Sequence, residues 1–281
     1  DGTYTMEVSA DDVLLAAGGP DAEITLTAKF VGNDNMADGT GTATVNITAV
    51  AVAEKDGKVI GYYGESNLDD AFTNDSATVT LLANVERTNT LTIKVNCTLD
   101  LGGHNITFTG IENAWVQGSV TTMTIRGEGE IVSEQSHALV VSGSVTLEGG
   151  TFTSNGGNSA GVYVNSDVAS LSVTGEYVTI RNTGGGYGLA VNYAQSVQLS
   201  AGTYKGEKAV SIVSGTTTLG DLLNQEGASR VAYYKDNTTL VTEGLDGQTL
   251  PSGSYTVKAC THIFGSSPTC LACGEQAVAR V

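Results

Sequence analysis

The chain has 281 residues, 40% of them apolar, with 36 Gly and 3 Pro, and its 30 acidic against 13 basic residues set a formal charge of -17. So acidic a surface repels polyanions, which excludes nucleic acid and anionic lipid as partners, and neither an 18-residue apolar run for a membrane span nor a charged-then-apolar leader is found. The length suits one elongated domain with an appendage or two compact ones, the Gly-rich, Lys-poor composition favours short strands over helices, and Asp1 in place of Met marks a mature fragment or an expressed piece.

Residues 1–48 carry three alternating runs, "TYTMEVSA", "EITLTAKF" and "GTATVNITAV", each separated from the next by a polar, Gly-containing stretch. They predict three strands, either part of an immunoglobulin-like domain or a β appendage. "NDNMADG" misses the acidic spacing of a calcium loop and is expected to be a polar hairpin tip. Within 49–77, a linker, "SNLDDAFTND" breaks the period-2 pattern. Ser66 or Asn67 can cap a helix start, two acids follow, and Leu68 and Phe72 stand four apart, so one short amphipathic helix is expected there.

From 78 to 216 the chain repeats itself. Leu147, Val173 and Leu199 are spaced by 26, as are Phe152, Val178 and Tyr204, while Val145, Leu171 and Val197 match in the same way. Leu101, Ile125 and Leu147 extend the row backwards through "LDLGGHNI", "MTIRGEGEI" and "VTLEGGTF". A third strand type recurs as "AWVQG", "LVVSG", "GVYVN", "GLAVN" and "VSIVSG". A period of 20 to 30 residues holding three short strands marks a solenoid of three faces, in which each unit buries its apolar row only by stacking on the next. The expected inward ladder is Leu101, Ile125, Leu147, Val173 and Leu199, with glycines at the corners.

After the last coil, 217–258 lose this rhythm. "TTLGDLLNQEG" predicts a short helix and "RVAYYKD", "TTLVTE" and "GSYTVKAC" predict strands, a cap for the open end of the coils. The tail, 259–281, holds Cys260-x-His262, then Cys270-x-x-Cys273-Gly. Two close pairs of soft ligands joined by a seven-residue loop suit tetrahedral Zn2+ in a closed structural knuckle. A disulfide from Cys260 to Cys270 or Cys273, or free thiols, are the alternatives. The tail is expected to share little surface with the coils, and Cys97 to be a buried core thiol.

These motifs resemble the right-handed parallel β-helix of pectin-lyase-like proteins. "CTLDLGGHNITF", "VTLEGGTFTSNGG" and "VQLSAGTYKGEKAVSIVSG" are similar to coils of modules in surface proteins of gut Firmicutes, over about residues 50 to 258. In that group a helix such as "NLDDAF" precedes the first coil, an "LxDLL…AYY" run follows the last, and Cys-His/Cys-x-x-Cys-Gly tails end bacterial surface modules. The resemblance implies an all-β right-handed parallel β-helix and an extracellular place, on a bacterial surface or secreted.

Chemistry is harder to find. A β-helix lyase needs carboxylates holding Ca2+ plus a Lys or Arg base, and a hydrolase needs Asp residues converging on adjacent coils. Within 78–216 no aspartate recurs at the repeat spacing, and outward acids such as Glu112, Glu148 and Glu176 are scattered. The nearest constellation is Arg126, Glu128, Glu130, Glu134 and His137, with Arg181 two coils later. It is weighed against a solvated face of ion pairs worth under about 1 kcal/mol each. His104 is expected at a coil corner, serving backbone groups. Trp115, Tyr163, Tyr187 and Tyr193 are candidates for stacking on sugars. The expectation is a monomeric, non-catalytic, adhesin-like module for a glycan, mucin or host surface protein. A polysaccharide lyase or glycoside hydrolase, and a structural spacer, are the alternatives.

Overall fold

The computed structural model describes residues 21–31, 38–62, 64, 67–118, 121–223, 230–262 and 269–273. Its regular structure is nearly all β, and its centre is a β-solenoid of about five turns, a parallel β-helix. Each turn contributes one short strand to each of three sheets, because its apolar-x-apolar runs are only three to seven residues long and are broken by Gly or polar corners.

The first sheet stacks Ala77–Leu81, Cys97–Asp100, Thr122–Arg126, Ser144–Leu147, Ser170–Val173 and Ser196–Leu199 in parallel. The second stacks Val85–Arg87, His104–Phe108, Gly129–Ser133, Thr151–Ser154, Thr179–Asn182 and Thr203–Gly206. The third stacks Leu91–Ile93, Ala114–Val116, Leu139–Val141, Ala160–Asn165, Tyr187–Tyr193 and Lys208–Ile212.

At both ends parallel pairing gives way to antiparallel. Ala51–Lys55 lies antiparallel on Ala77–Leu81, with Lys58–Tyr62 outside it. Gly253–Ala259 lies on Thr203–Gly206 and is followed by Val231–Lys235 and Thr239–Leu240, while Thr249–Leu250 lies on Lys208–Ile212. The short helix expected near 217 is a single 3-10 turn, Gly220–Leu222, and Leu223 bridges Leu199.

The inward ladders differ from expectation at two places. In the first sheet, Ile125 pairs with Leu99, not Leu101, so the row runs Val79, Leu99, Ile125, Leu147, Val173, Leu199, all buried. Leu101 is also fully buried, but at the corner beyond the strand. There it lies under Gly129 and Gly150, both at positive φ. A Cβ on Gly150 would sit 2.6 Å from Leu101 Cδ1, and one on Gly129 would collide with the His104 carbonyl oxygen. The glycines of "GEGEI" and "LEGGTF" are therefore required by close approach as well as by backbone angle. In the second sheet Phe152 pairs with Ile180 and Ile180 with Tyr204, so Ile180 replaces Val178 in that row. The row of Val145, Leu171 and Val197 is as expected and continues back through Met123 to Cys97.

Beside these rows the second sheet carries a buried polar one, Ser133, Ser154 and Asn182. Asn182 Nδ2 donates to the carbonyls of Gly156 (2.8 Å) and Ser159 (3.1 Å), and its Oδ1 accepts the N–H groups of Gly184 (2.9 Å) and Gly186 (2.6 Å). Ser133 and Ser154 donate to the carbonyls of Glu112 and Ser136. These side chains satisfy backbone groups of the turns between the second and third sheets.

The expected helix is Leu68–Ala71, with Asn67 at its N-cap position but no side-chain capping bond; Ser66 lies outside the described residues. Leu68, Ala71 and Phe72 join the solenoid core. Asp69 pairs at 2.6 Å with Arg87, whose side chain is only 4% exposed, so the helix neutralises a buried guanidinium of the first turn. Of the N-terminal segment, Asp21–Phe30 and Gly39–Thr48 form a two-stranded antiparallel sheet of their own. The strand expected at "TYTMEVSA" and most of "NDNMADG" lie outside the described residues.

Replacing Leu147 with Asp puts an unpartnered charge in the central ladder and is expected to destabilise the fold by several kcal/mol, about 3 or more, in denaturant titration; an unchanged midpoint would contradict the register. Asn182→Ala takes their acceptor from the corner N–H groups of Gly184 and Gly186, while the Gly156 and Ser159 carbonyls keep the Ser159 and Tyr187 N–H groups. A loss of about 1–3 kcal/mol is expected in the same assay.

Candidate metal centre and aromatic sheet

The candidate catalytic residues are not brought together. Arg126 ends a strand of the first sheet and pairs with Asp100 at 3.0 Å. Glu128 is exposed at the corner that follows. Glu130 belongs to the second sheet, where Arg181 Nη2 (2.8 Å) and the Thr153 hydroxyl both donate to its Oε1. Glu134 accepts from Asn155.

His137 stands at the entry to the third sheet, stacked on Tyr163 with ring centroids 4.4 Å apart, and its Nδ1 accepts the Ala160 N–H at 2.9 Å. An accepting Nδ1 fixes the neutral ring with its proton on Nε2, and burial holds the pKa below the usual histidine value. Three faces of the solenoid thus divide a group whose sequence numbers look contiguous. His104 opens its strand, where its backbone N–H donates to Leu101 O at 2.8 Å and closes the corner.

The four aromatic candidates do share one sheet, the third. Trp115 and Tyr163 lie in its outward row, two strands apart with Val140 between them, or about 9.6 Å at the usual strand spacing. Tyr187 and Tyr193 open and close the next strand. Lys208 Nζ sits 4.9 Å over the Tyr187 ring and His137 covers one face of Tyr163, whereas Tyr193 is 52% exposed.

The tail residues do converge. Cys260, His262, Cys270 and Cys273 present ligand atoms that all lie within 4.8 Å of one another, close enough to hold a metal ion. Cys260 Sγ and Cys270 Sγ are 3.7 Å apart, and His262 Nδ1 is 3.2 Å from Cys273 Sγ. His262 takes a positive φ of 47°, and its N–H donates to Cys260 Sγ. All three cysteines are buried and unbridged. Burial pushes the Cys260 thiol up to about 12. Burial acts the same way on Cys270, but the backbone N–H groups of Ala272 and Cys273 and the His262 ring outweigh it and bring that thiol down to about 6. Cys97, in the coil core, is pushed up to about 12 by burial, as expected of an inert thiol. Gly274 lies outside the described residues.

No family model matches this chain, and neither a curated protein nor a solved structure does. The site therefore rests on its own supports. Cys260, Cys270, Ala272 and Cys273 pack on Ala232 and Tyr234 in a cluster separate from the solenoid core. Val231 and Tyr233, the alternate residues of the same strand, belong to the solenoid core. The tail and the coils hence keep separate cores but share one strand, a closer junction than the sequence suggested. Tyr234 Oη accepts the Thr261 N–H at 2.8 Å, and Arg230 Nη1 donates to Cys273 O at 3.0 Å. Neither contact was visible in ligand spacing. The alternation of "RVAYYKD" was the signal that Tyr233 and Tyr234 face opposite ways. No helix among the described residues is long and apolar enough to cross a membrane.

Unfolded histidine titrates near about 6.5, and His137 titrates lower in the fold. Below that value the unfolded chain holds the extra proton, so stability is full above about pH 6.5 and falls as pH drops through it. Melting curves between pH 7.5 and about 5 should show this slope. His137→Gln should flatten it, and an identical slope in the variant would refute the assignment.

Proposed function

We propose that the chain is a non-catalytic module of a bacterial cell-surface or secreted protein, of the pectin-lyase-like kind found in gut Firmicutes, which binds a glycan or a surface protein in adhesin-like fashion. The observation that carries this reading is the gathering of Trp115, Tyr163, Tyr187 and Tyr193 on one sheet while the acids and bases that could catalyse are divided among three. Rings on a rigid sheet offer contact area with little conformational entropy to lose. A groove enzyme would need the opposite partition, with carboxylates converging. The strands of 217–258 act as the cap that keeps the last coil from recruiting further chains, and the charge of -17 favours a monomer.

The Cys/His group is proposed to hold one structural Zn2+. With Zn–S bonds of about 2.3 Å, a tetrahedral site has sulfur–sulfur edges of about 3.8 Å, close to the 3.7 Å between Cys260 and Cys270; a disulfide would need about 2.05 Å. Four protein ligands complete the tetrahedron, which leaves no position for water or substrate, so the ion would crosslink rather than catalyse.

Metal analysis should find about one zinc per chain, with three tail thiols titratable after chelation. No metal together with two cysteines missing from the count would establish a disulfide instead. Because Tyr234 and Ala232 sit under the knuckle, chelation should loosen 259–281 and the Val231–Lys235 strand while the coils keep their far-ultraviolet signal. A glycan and mucin binding array run beside a reducing-end release assay tests the main reading. Binding without release is expected, and turnover lost in Arg126→Ala, Glu128→Gln or His137→Ala would overturn it.

A further inference from the structure

At the last turn of the solenoid the corner 191–198 and the segment 212–222 enclose a cleft of about 430 Å3, within the range of about 300–1,000 Å3 usual for small-ligand sites. Its floor is apolar, with Val191, Val197, Ile212 and Leu222 from the core. Its walls are polar and held in place. Asn192 donates to Asn165 Oδ1 (2.9 Å) and accepts from Ser214 (2.8 Å), and Gln248 fixes Gly215 O at 2.8 Å. Thr218 donates to Asp221 Oδ2 through both its N–H (2.7 Å) and its hydroxyl (2.8 Å), bonds that hold the carboxylate below its usual pKa and leave Oδ1 as an acceptor.

Over the cleft stands Tyr193, 52% exposed, and around its rim Gln195 and Gln198 offer side-chain amides that bond to none of the described residues. Among the described residues no Lys or Arg lines the cleft, whereas Asp167 and Asp221 do.

We infer that this cleft binds the end of an uncharged oligosaccharide. The inference rests on the glycan-binding reading above and gives it a place apart from the Trp115 and Tyr163 row. Amides that both donate and accept suit vicinal hydroxyls. A phenol ring standing beside them suits the C–H face of a sugar ring. The two aspartates, in a chain of charge -17, reject uronic acids, sialic acid and phosphates. An apolar floor this small under a polar rim has too little area for a lipid chain.

The test titrates the whole chain with mannotetraose, cellotetraose, xylotetraose, N-acetylchitotetraose and, as the charged control, tetragalacturonate, followed by calorimetry. At least one neutral sugar should bind and the charged one should not. Tyr193→Ala and the double variant Gln195→Ala/Gln198→Ala, all at exposed positions that leave the fold intact, should each weaken binding about tenfold or more. Tyr177→Ala, at an 87% exposed ring that neither lines the cleft nor belongs to the third sheet, should leave it unchanged. Binding lost in Trp115→Ala but kept in the cleft variants overturns the cleft and spares the glycan reading. Preference for tetragalacturonate overturns the stated ligand class, and the absence of binding to every sugar overturns both.

Discussion

Everything in this molecule depends on parallel pairing between successive turns. No single turn has a core. Its strands are three to seven residues long and bury their apolar side only because the equivalent strand of the next turn lies about 4.8 Å away and continues the row. The ladders of Leu147 and Phe152 are thus properties of the stack. Stability accrues turn by turn, and the two terminal turns, each with one unpaired edge, pose the remaining problem. Antiparallel strands lie on the first sheet at one end, through Ala51–Lys55, and on the second and third at the other, through Gly253–Ala259 and Thr249–Leu250, whereas among the described residues Val85–Arg87 and Leu91–Ile93 end their sheets. Antiparallel strands can be added by short connections, where a further parallel strand would need another full turn.

A stack of this kind also has to turn three corners per coil, and corners expose backbone groups to the interior. Two devices serve here. Glycine admits the tight approach of one coil to the next, as at Gly129 and Gly150 over Leu101. Asn182 supplies the opposite remedy, a side chain that imitates backbone and satisfies four groups at once. Arg87, buried at an inward position of the first turn, is paired with Asp69 from the helix at Leu68–Ala71 and also donates to the Asn89 carbonyl.

How much of this could be read from the residues follows from the range of each interaction. The solenoid was legible because its period is repeated several times, so chance matches cancel. Register was less so. Leu99 and Leu101 stand two apart in "TLDL", and a shift of two keeps the same face, so nothing in the alternation tells them apart. The same ambiguity put Val178 where Ile180 belongs. The Cys/His group was legible because both its pairs are local in sequence. Its floor of Ala232 and Tyr234 was not, because it depends on which way a strand some thirty residues earlier turns its alternate side chains. The grouping of Arg126, Glu130 and His137 misled for the converse reason. Residues a few positions apart on a coil can belong to different sheets, so nearness in sequence does not place their side chains on one face.

The direction of the backbone hydrogen bonds has a mechanical consequence. In the three sheets of the solenoid they run from strand to strand, along the axis on which the turns are stacked. A pull between the two ends of the stack therefore does not shear these bonds together, as it would in a sandwich whose strands lie along the force. It opens them a few at a time from the terminal turn. Each turn released, from Ile125 to Leu147 or from Leu147 to Val173, frees 22 to 26 residues, or roughly 70–90 Å of extended chain. Under such a pull the solenoid would unwind turn by turn, in steps of similar length. The four clustered ligands of the tail, two close pairs joined by a loop, are the one place among the described residues where a bound ion would resist that unwinding.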